Sequence, residues 1–310
     1  MCVAPLTLIK PRDQWEPKLL DNKEVSYNSH VVPCGKCVDC LRRRQHGWSF
    51  RLYHQQLVSD TACFMTLTYG ENYCNKTGEY VFGEDAPISD NGFQTLDRKD
   101  LTDFLHRLRK YQRRKLNNNE TIKYYAVGEY GTDNLRPHYH IIMYNLDPHL
   151  VARSHLLAKK IWKKGSVDIA SCTPSSINYV VGYVMQGSHQ KMHRNDDRTP
   201  QFSQQSKGLG QTYLTDAIID YHYDRMDASV QHPDGFRISL PRYYKDKIFT
   251  VEEKAELWEI QQEINKTDWQ EFVDYCENDA IQTHLRGKRK TYKHEQQRKQ
   301  KRHFSLDENA

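Results

Sequence analysis

The chain has 310 residues, 37% of them hydrophobic and 27% charged, which suits a soluble protein with one principal core and appended segments. No apolar run is long enough to span a bilayer, and Met1 to Lys10 lacks the basic-then-apolar order of a leader, so membrane insertion and export are disfavoured. The net charge of +5 is modest, but the cations cluster at Arg42 to Arg44, at Arg107 to Lys115 and in a tail from Leu285 to His303, where nine Lys/Arg face the single acid Glu295; three such groups favour a nucleic-acid partner.

In chain order, the first feature is Cys34-Gly35-Lys36-Cys37-Val38-Asp39-Cys40, three thiols within seven residues. Eight cysteines in a chain expected to remain unexported argue for thiols or metal ligands rather than a disulfide frame. Structural zinc normally takes four ligands, so His30, His46, Cys2, Cys63 or Cys74 is the candidate fourth. An iron-sulfur site lacks its clear fourth cysteine, and reduced, unligated thiols are the bland alternative.

Ala62 to Tyr69 is rich in β-branched and aromatic residues and stops at Gly70, which predicts a strand, followed by a polar loop to about Leu96. Leu101, Phe104, Leu105 and Leu108 then fall at helical spacing behind the N-cap candidate Asp97. Arg107, Lys110 and Arg114 lie off that apolar stripe and are candidate DNA contacts. Ile122 to Glu129 and His138 to Asn145 read as two strands joined by a turn, Leu150 to Lys164 as a helix, and Ser166 to Ala170 as a short strand. Thr173 and Pro174 start a helix that carries Tyr179 and Tyr183.

Ser188 to Gln211 is polar and reads as a mobile loop, with Gly208-Leu209-Gly210 a flexible turn rather than a nucleotide-binding fingerprint. Thr250 and Glu253 form a capping box for a helix to about Asn265, and the final twenty-five residues read as exposed helix or disorder. This order predicts an α+β fold: a mainly antiparallel central sheet covered by helices, with a helical, basic C-terminal extension. The expected divisions are a Cys-cluster and basic segment over 1–60, a core over 61–187, a polar loop and accessory segment over 188–249, and the extension over 250–310.

The chemistry concentrates on His138-Tyr139-His140. Residues two apart on a strand share a face, so the two imidazoles project together while Tyr139 points away. Glu129 ends the preceding strand and reaches the same face if the two strands pair. Two imidazoles and a carboxylate suit a divalent ion with positions left open, Mg²⁺ or Mn²⁺. Tyr179 and Tyr183, four apart, share one helix face. A tyrosine hydroxyl beside a cation can attack a phosphate and keep the cleaved strand as a phosphotyrosine, which conserves the bond energy for rejoining.

The segments Phe64 to Tyr69, Gly128 to Tyr144 and Tyr179 to Val184 resemble the three successive motifs of the His-hydrophobe-His replication endonucleases. Cys34 to Cys40, Pro200 to Leu214 and Leu240 to Lys245 further resemble segments of the replication initiators of microviruses, especially the gokushovirus branch. The resemblance implies a ferredoxin/RRM-like core, with His138, His140 and Glu129 as metal ligands and Tyr179 and Tyr183 as nucleophiles. It implies nicking of single-stranded or origin DNA for rolling-circle replication in the cytoplasm of a host bacterium, with a free 3′-OH extended by a host polymerase. No G-x-x-x-x-G-K-S/T occurs, so a separate host helicase is expected. Many relatives carry lysines where this chain has Gly182 and Gln186, and Lys191 is the candidate replacement for orienting phosphate. A transposase or plasmid mobilisation enzyme would use the same chemistry. A non-catalytic zinc-containing DNA-binding protein and a two-histidine, one-carboxylate oxygenase are the readings from other classes.

Overall fold

The computed structural model describes residues 6–10, 28–70, 73–74, 80–81, 86–131, 135–183, 194–254, 256–257 and 260. A hairpin of β1 (Leu6–Lys10) and β2 (Asn28–Val32) precedes the long helix α1 (Val38–Gln56) and strand β3 (Ala62–Thr68). After the short pair β4 (Tyr73–Cys74) and β5 (Tyr80–Val81) come α2 (Arg98–Lys115), β6 (Lys123–Tyr130) and β7 (Pro137–Tyr144). The short turns α3 (Pro148–Val151) and α4 (Ser154–Leu157) lead through a π-helical turn to β8 (Val167–Ser171) and α5 (Pro174–Gly182). Then follow β9 (Phe202–Gln205), α6 (Asp216–Asp224), the hairpin β10 (Ser229–Gln231) and β11 (Arg237–Ser239), and α7 (Arg242–Ile248).

Five strands pair antiparallel throughout in the order β8-β3-β7-β6-β9, and helices cover both faces, which is the predicted α+β class. Strand alternation sorts the side chains. Met65, Leu67, Tyr139, Ile141 and Met143 pack on one face against Leu101, Phe104, Leu105 and Leu108 of α2 and against Trp162. Tyr125, Val127, Ile142 and Tyr144 pack on the other against Leu52 of α1 and Ile177, Val180 and Val181 of α5. A third cluster joins Phe50 of α1 to Val230, Ile238, Leu240, Tyr244, Phe249 and Leu257. Through Leu52 and Phe50, α1 ties the sheet to the accessory segment.

Several sequence expectations hold at their chemical details. Asp97 caps α2 by accepting from Lys99 N–H, and Thr173 caps α5 in a reciprocal box with Ser176. Thr250 Oγ1 accepts from Glu253 N–H at 3.2 Å while Glu253 Oε2 accepts from Thr250 N–H at 2.8 Å. The onward helix to Asn265, the basic tail and Lys191 lie outside the described residues.

Three expectations are corrected. The helix expected over Leu150 to Lys164 breaks into two short turns and a π-turn ended by Lys163 at φ 65°. The open carbonyls of Ile161 and Trp162 there accept from the Arg107 guanidinium, the first at 2.7 Å. The stretch expected to be a mobile loop instead contributes β9, where Gln205, Gln204, Ser203 and Phe202 pair with Tyr125 to Gly128. An edge strand needs only backbone donors and acceptors, so polar side chains did not advertise it. The Gly208-Leu209-Gly210 turn is not free either. Leu209 is fully buried, its carbonyl accepts two bonds from Arg51, and Gly210 donates to Gln55 Oε1. Among the described residues no helix is long and apolar enough to cross a membrane.

Candidate metal centre and paired tyrosines

The β6–β7 register sets Glu129 directly opposite His138 and Val127 opposite His140. Directly opposed residues share a face with Cβ atoms about 5 Å apart, so the carboxylate meets both imidazoles. Glu129 Oε1 lies 2.5 Å from His138 Nε2 and 2.9 Å from His140 Nε2. The centre is sunk into the sheet: Glu129 is 4% exposed and His140 7%. Tyr139 points to the opposite face, where its hydroxyl bonds Tyr69 and the Asp97 carbonyl.

The remaining ring nitrogens are occupied. His138 Nδ1–H donates to the Arg136 carbonyl at 3.0 Å, and His140 Nδ1 lies 3.0 Å from Thr66 Oγ1 on β3, whose Thr66 pairs with His140. Both Nε2 atoms therefore aim at the same point as Glu129. Burial pushes the Glu129 carboxyl up, but hydrogen bonds and charge from His138 and His140 outweigh it and hold the group below the usual carboxylate range. Burial lowers His138, while Glu129 and the Arg136 carbonyl reverse this and leave it raised. Protons shared between a carboxylate and two imidazole nitrogens occupy the place that a divalent cation fits. This set of two nitrogens and one oxygen suits such an ion.

Helix α5 covers the same face and presents the tyrosines. Tyr179, half-exposed at 50%, has its hydroxyl 3.5 Å from His140 Nε2, and Tyr183 donates to that hydroxyl at 2.5 Å. The Tyr183 ring stacks over His140 at 5.9 Å, and Phe64 stacks on the same imidazole at 5.3 Å. Burial, the bond to Tyr179 and the charge of Glu129 push the Tyr183 hydroxyl up, so it stays a proton donor.

Other candidates fall elsewhere. Helix α2, with Arg107, Lys110 and Arg114, packs on the opposite face of the sheet. Helix α1 shares the tyrosine face. Its Gln56 bonds the Cys172 carbonyl before α5, while its Gln45 lies beside Gly182 at the far end. The two helices are thus antiparallel, and exposed Arg42, Arg43 and Arg44 sit at the Tyr183 end. Cys34, Cys37 and Cys40 converge at the start of α1, with Cys37 its N-cap and Cys40 in its first turn. Of the candidate fourth ligands, Cys63 is buried in the α2-side core and His46 packs tilted against Phe236, whereas Cys2 and the side chains of His30 and Cys74 lie outside the described residues. Sequence reasoning missed Thr66 and Phe64 as supports of His140. Their even spacing on the FMTLTY strand was the available signal.

Residues 62–188, which include Glu129, His138, His140, Tyr179 and Tyr183, match the family model of the ORF2-type replication-associated proteins. The chain is similar to phage replication-associated proteins. It is 26% identical over 234 residues to replication-associated protein VP4 of Bdellovibrio phage phiMH2K, covering 70% of this chain and 67% of that protein. It is 26% identical over 247 residues to replication-associated protein ORF4 of Chlamydia phage 1, covering 72% of this chain and 55% of that protein. With replication-associated protein ORF2 of Spiroplasma virus 4 it shares 29% identity over 237 residues, covering 72% and 69%. No solved structure matches. The resemblance to microvirus replication initiators is borne out by these relatives.

Proposed function

We propose that the protein initiates replication of a small circular phage genome by nicking one DNA strand at the origin through a tyrosine. The observation that carries this reading is the Tyr179 hydroxyl 3.5 Å from His140 Nε2, at the rim of the buried Glu129, His138 and His140 centre. Those three residues would hold Mg²⁺ or Mn²⁺, which when bound would polarise the scissile phosphate and offset charge on its oxygens. The relatives' description as replication-associated proteins supports the same role.

In this reading Tyr179 attacks first, being the more exposed residue, with its hydroxyl 3.5 Å from His140 Nε2. Its oxygen gives up the phenol proton and forms a bond to phosphorus, the P–O3′ bond breaks, and the departing oxygen gains one proton to become the 3′-OH primer, so the number of protons is unchanged. The 5′ end stays on Tyr179 as a phosphotyrosine. Tyr183, which donates to the Tyr179 oxygen, steadies the developing phenolate and later attacks a second phosphate while the first end is still held. Rejoining needs no nucleotide because the phosphodiester energy is retained. Strand separation and synthesis would fall to a helicase and a polymerase of the host cell.

The test incubates the full chain with labelled single-stranded circular DNA and Mn²⁺ and seeks a protein-DNA adduct that survives denaturation. Tyr179→Phe should abolish first-round adduct, whereas Tyr183→Phe should retain it and lose rejoining. Full adduct yield in the doubly substituted protein would overturn the nucleophile assignment. DNA binding without cleavage would favour a non-catalytic, zinc-containing DNA-binding protein, the reading that the Cys34 to Cys40 cluster otherwise supports.

A further inference from the structure

We propose that Cys34, Cys37 and Cys40 bind one zinc ion that fixes the start of α1 and, with it, the three arginines that follow. The three Sγ atoms lie within 4.8 Å of one another, with Cys34 and Cys40 Sγ 4.0 Å apart. Thiolates each about 2.3 Å from a tetrahedral zinc stand roughly 3.8 Å from one another. The Cys34–Cys40 separation therefore differs from a metal-bound one by a few tenths of an ångström, and the widest of the three by no more than about 1 Å. It is about twice a disulfide bond length of roughly 2.05 Å.

The surrounding backbone gathers the sulfurs at this point. Cys37 N–H donates to Cys34 Sγ at 3.3 Å, a bond that strengthens when the sulfur carries charge. Gly35, at φ +74°, turns the chain so that Cys34 and Cys37 face together, a conformation open to glycine at no steric cost. Cys37 is the N-cap of the nineteen-residue α1, so unpaired helix N–H groups and the helix dipole add positive potential beside the sulfurs. A water would complete the fourth position.

The ion has a mechanical consequence. Arg42, Arg43 and Arg44 follow Cys40 within one helical turn and are exposed where α1 passes the Tyr183 end of α5. Arg43 also lies near enough to Lys245 of α7 to be felt by it. A pinned first turn holds these cations in register for a phosphate backbone approaching the tyrosines, whereas an unpinned turn frays. The zinc assignment is independent of the endonuclease reading, and only the placement of the arginines rests on it.

Metal analysis of the full chain, purified without chelator, tests the proposal. The expected result is one zinc per chain, kept in the His138→Ala, His140→Ala variant and lost from Cys34→Ser, Cys37→Ser and Cys40→Ser. Cobalt exchanged into the wild-type chain should show an intense sulfur-to-metal absorption, a readout that needs no variant to fold. Zinc-depleted protein should bind a single-stranded oligonucleotide about tenfold more weakly at low salt, as expected for the loss of a few phosphate contacts, and Zn²⁺ but not Mg²⁺ should restore it. Zinc retained in all three cysteine variants, an iron chromophore in place of zinc, or cobalt without sulfur absorption would overturn the site. Unchanged DNA affinity on zinc removal would overturn its positioning role.

Discussion

The His140 ring is constrained on every side that matters for holding an ion. Phe64 and Tyr183 stack on it, Nδ1 is bonded to Thr66, and Nε2 faces Glu129. Thr66 is the one polar support that can be removed without touching a candidate ligand. Thr66→Val keeps the shape and deletes the partner of Nδ1, leaving the ring orientation and tautomer of His140 unfixed. Losses of such partners typically cost about 10–100-fold in metal affinity. A Mn²⁺ titration of the purified protein should therefore shift by that order in Thr66→Val and recover in Thr66→Ser, and equal affinities in all three proteins would refute the role. Alternation alone made His138 and His140 legible as a pair, because a strand can present them in only one way. The Arg136 carbonyl was not legible, since a backbone partner depends on the path of the turn before β7.

At the scale of elements, legibility followed the strength of the periodic signal. Strand β7 was read to within one residue at each end, and helix α2 by its Asp97 cap and its buried Leu101, Phe104, Leu105 and Leu108. Helix α1 was missed because arginine, glutamine and histidine occupy much of it, and its two buried neighbours Phe50 and Leu52 serve different clusters. The same double duty makes the Gly210 turn a packing element. A Cβ there would lie 2.4 Å from the Arg51 carbonyl of α1, at a φ of +67° that side chains disfavour. Gly210→Ala should lower unfolding stability by about 2–3 kcal/mol, read by urea denaturation. A loss near zero would mean that the turn can move off α1. Helix α1 also carries a pH dependence. Burial lowers His46 and His54 below 6.5, as it does His232, which bonds Ser49 at 2.8 Å; His46 is lowered further by His232 and Arg42, while Asp234 partly opposes the shifts of His46 and His232. Because the folded chain disfavours these protons, stability is fully present above pH about 6.5 and declines as pH falls below it. Thermal unfolding should drop between pH 7.5 and 5.0, and His232→Gln should reduce that drop. A variant with the wild-type pH profile would exclude His232 as a contributor.

Across the whole molecule, the sheet separates two basic surfaces that the sequence could not tell apart. Arg107, Lys110 and Arg114 read as a DNA-facing row, yet α2 lies on the face away from Glu129 and the tyrosines, and Arg107 is engaged with the Ile161 and Trp162 carbonyls. Arg42 to Arg44 were noted only as a charge cluster, but α1 brings them to the tyrosine side. Which surface a strand follows is therefore decided by topology, because charge density is similar on both. The two alternatives separate in salt dependence. For single-stranded DNA each phosphate contact contributes about 0.7 to the slope of log affinity against log salt. Replacing Arg42, Arg43 and Arg44 by Ala should flatten that slope by about 2 and weaken binding at low salt. Replacing Lys110 and Arg114 should change the slope little, while Arg107→Ala should chiefly reduce stability by leaving two helix-end carbonyls without their donor. Fluorescence anisotropy with one oligonucleotide over a salt series distinguishes the outcomes. A flattened slope from the α2 substitutions alone would place the strand across the far face, out of reach of Tyr179, and would count against the nicking reading as well.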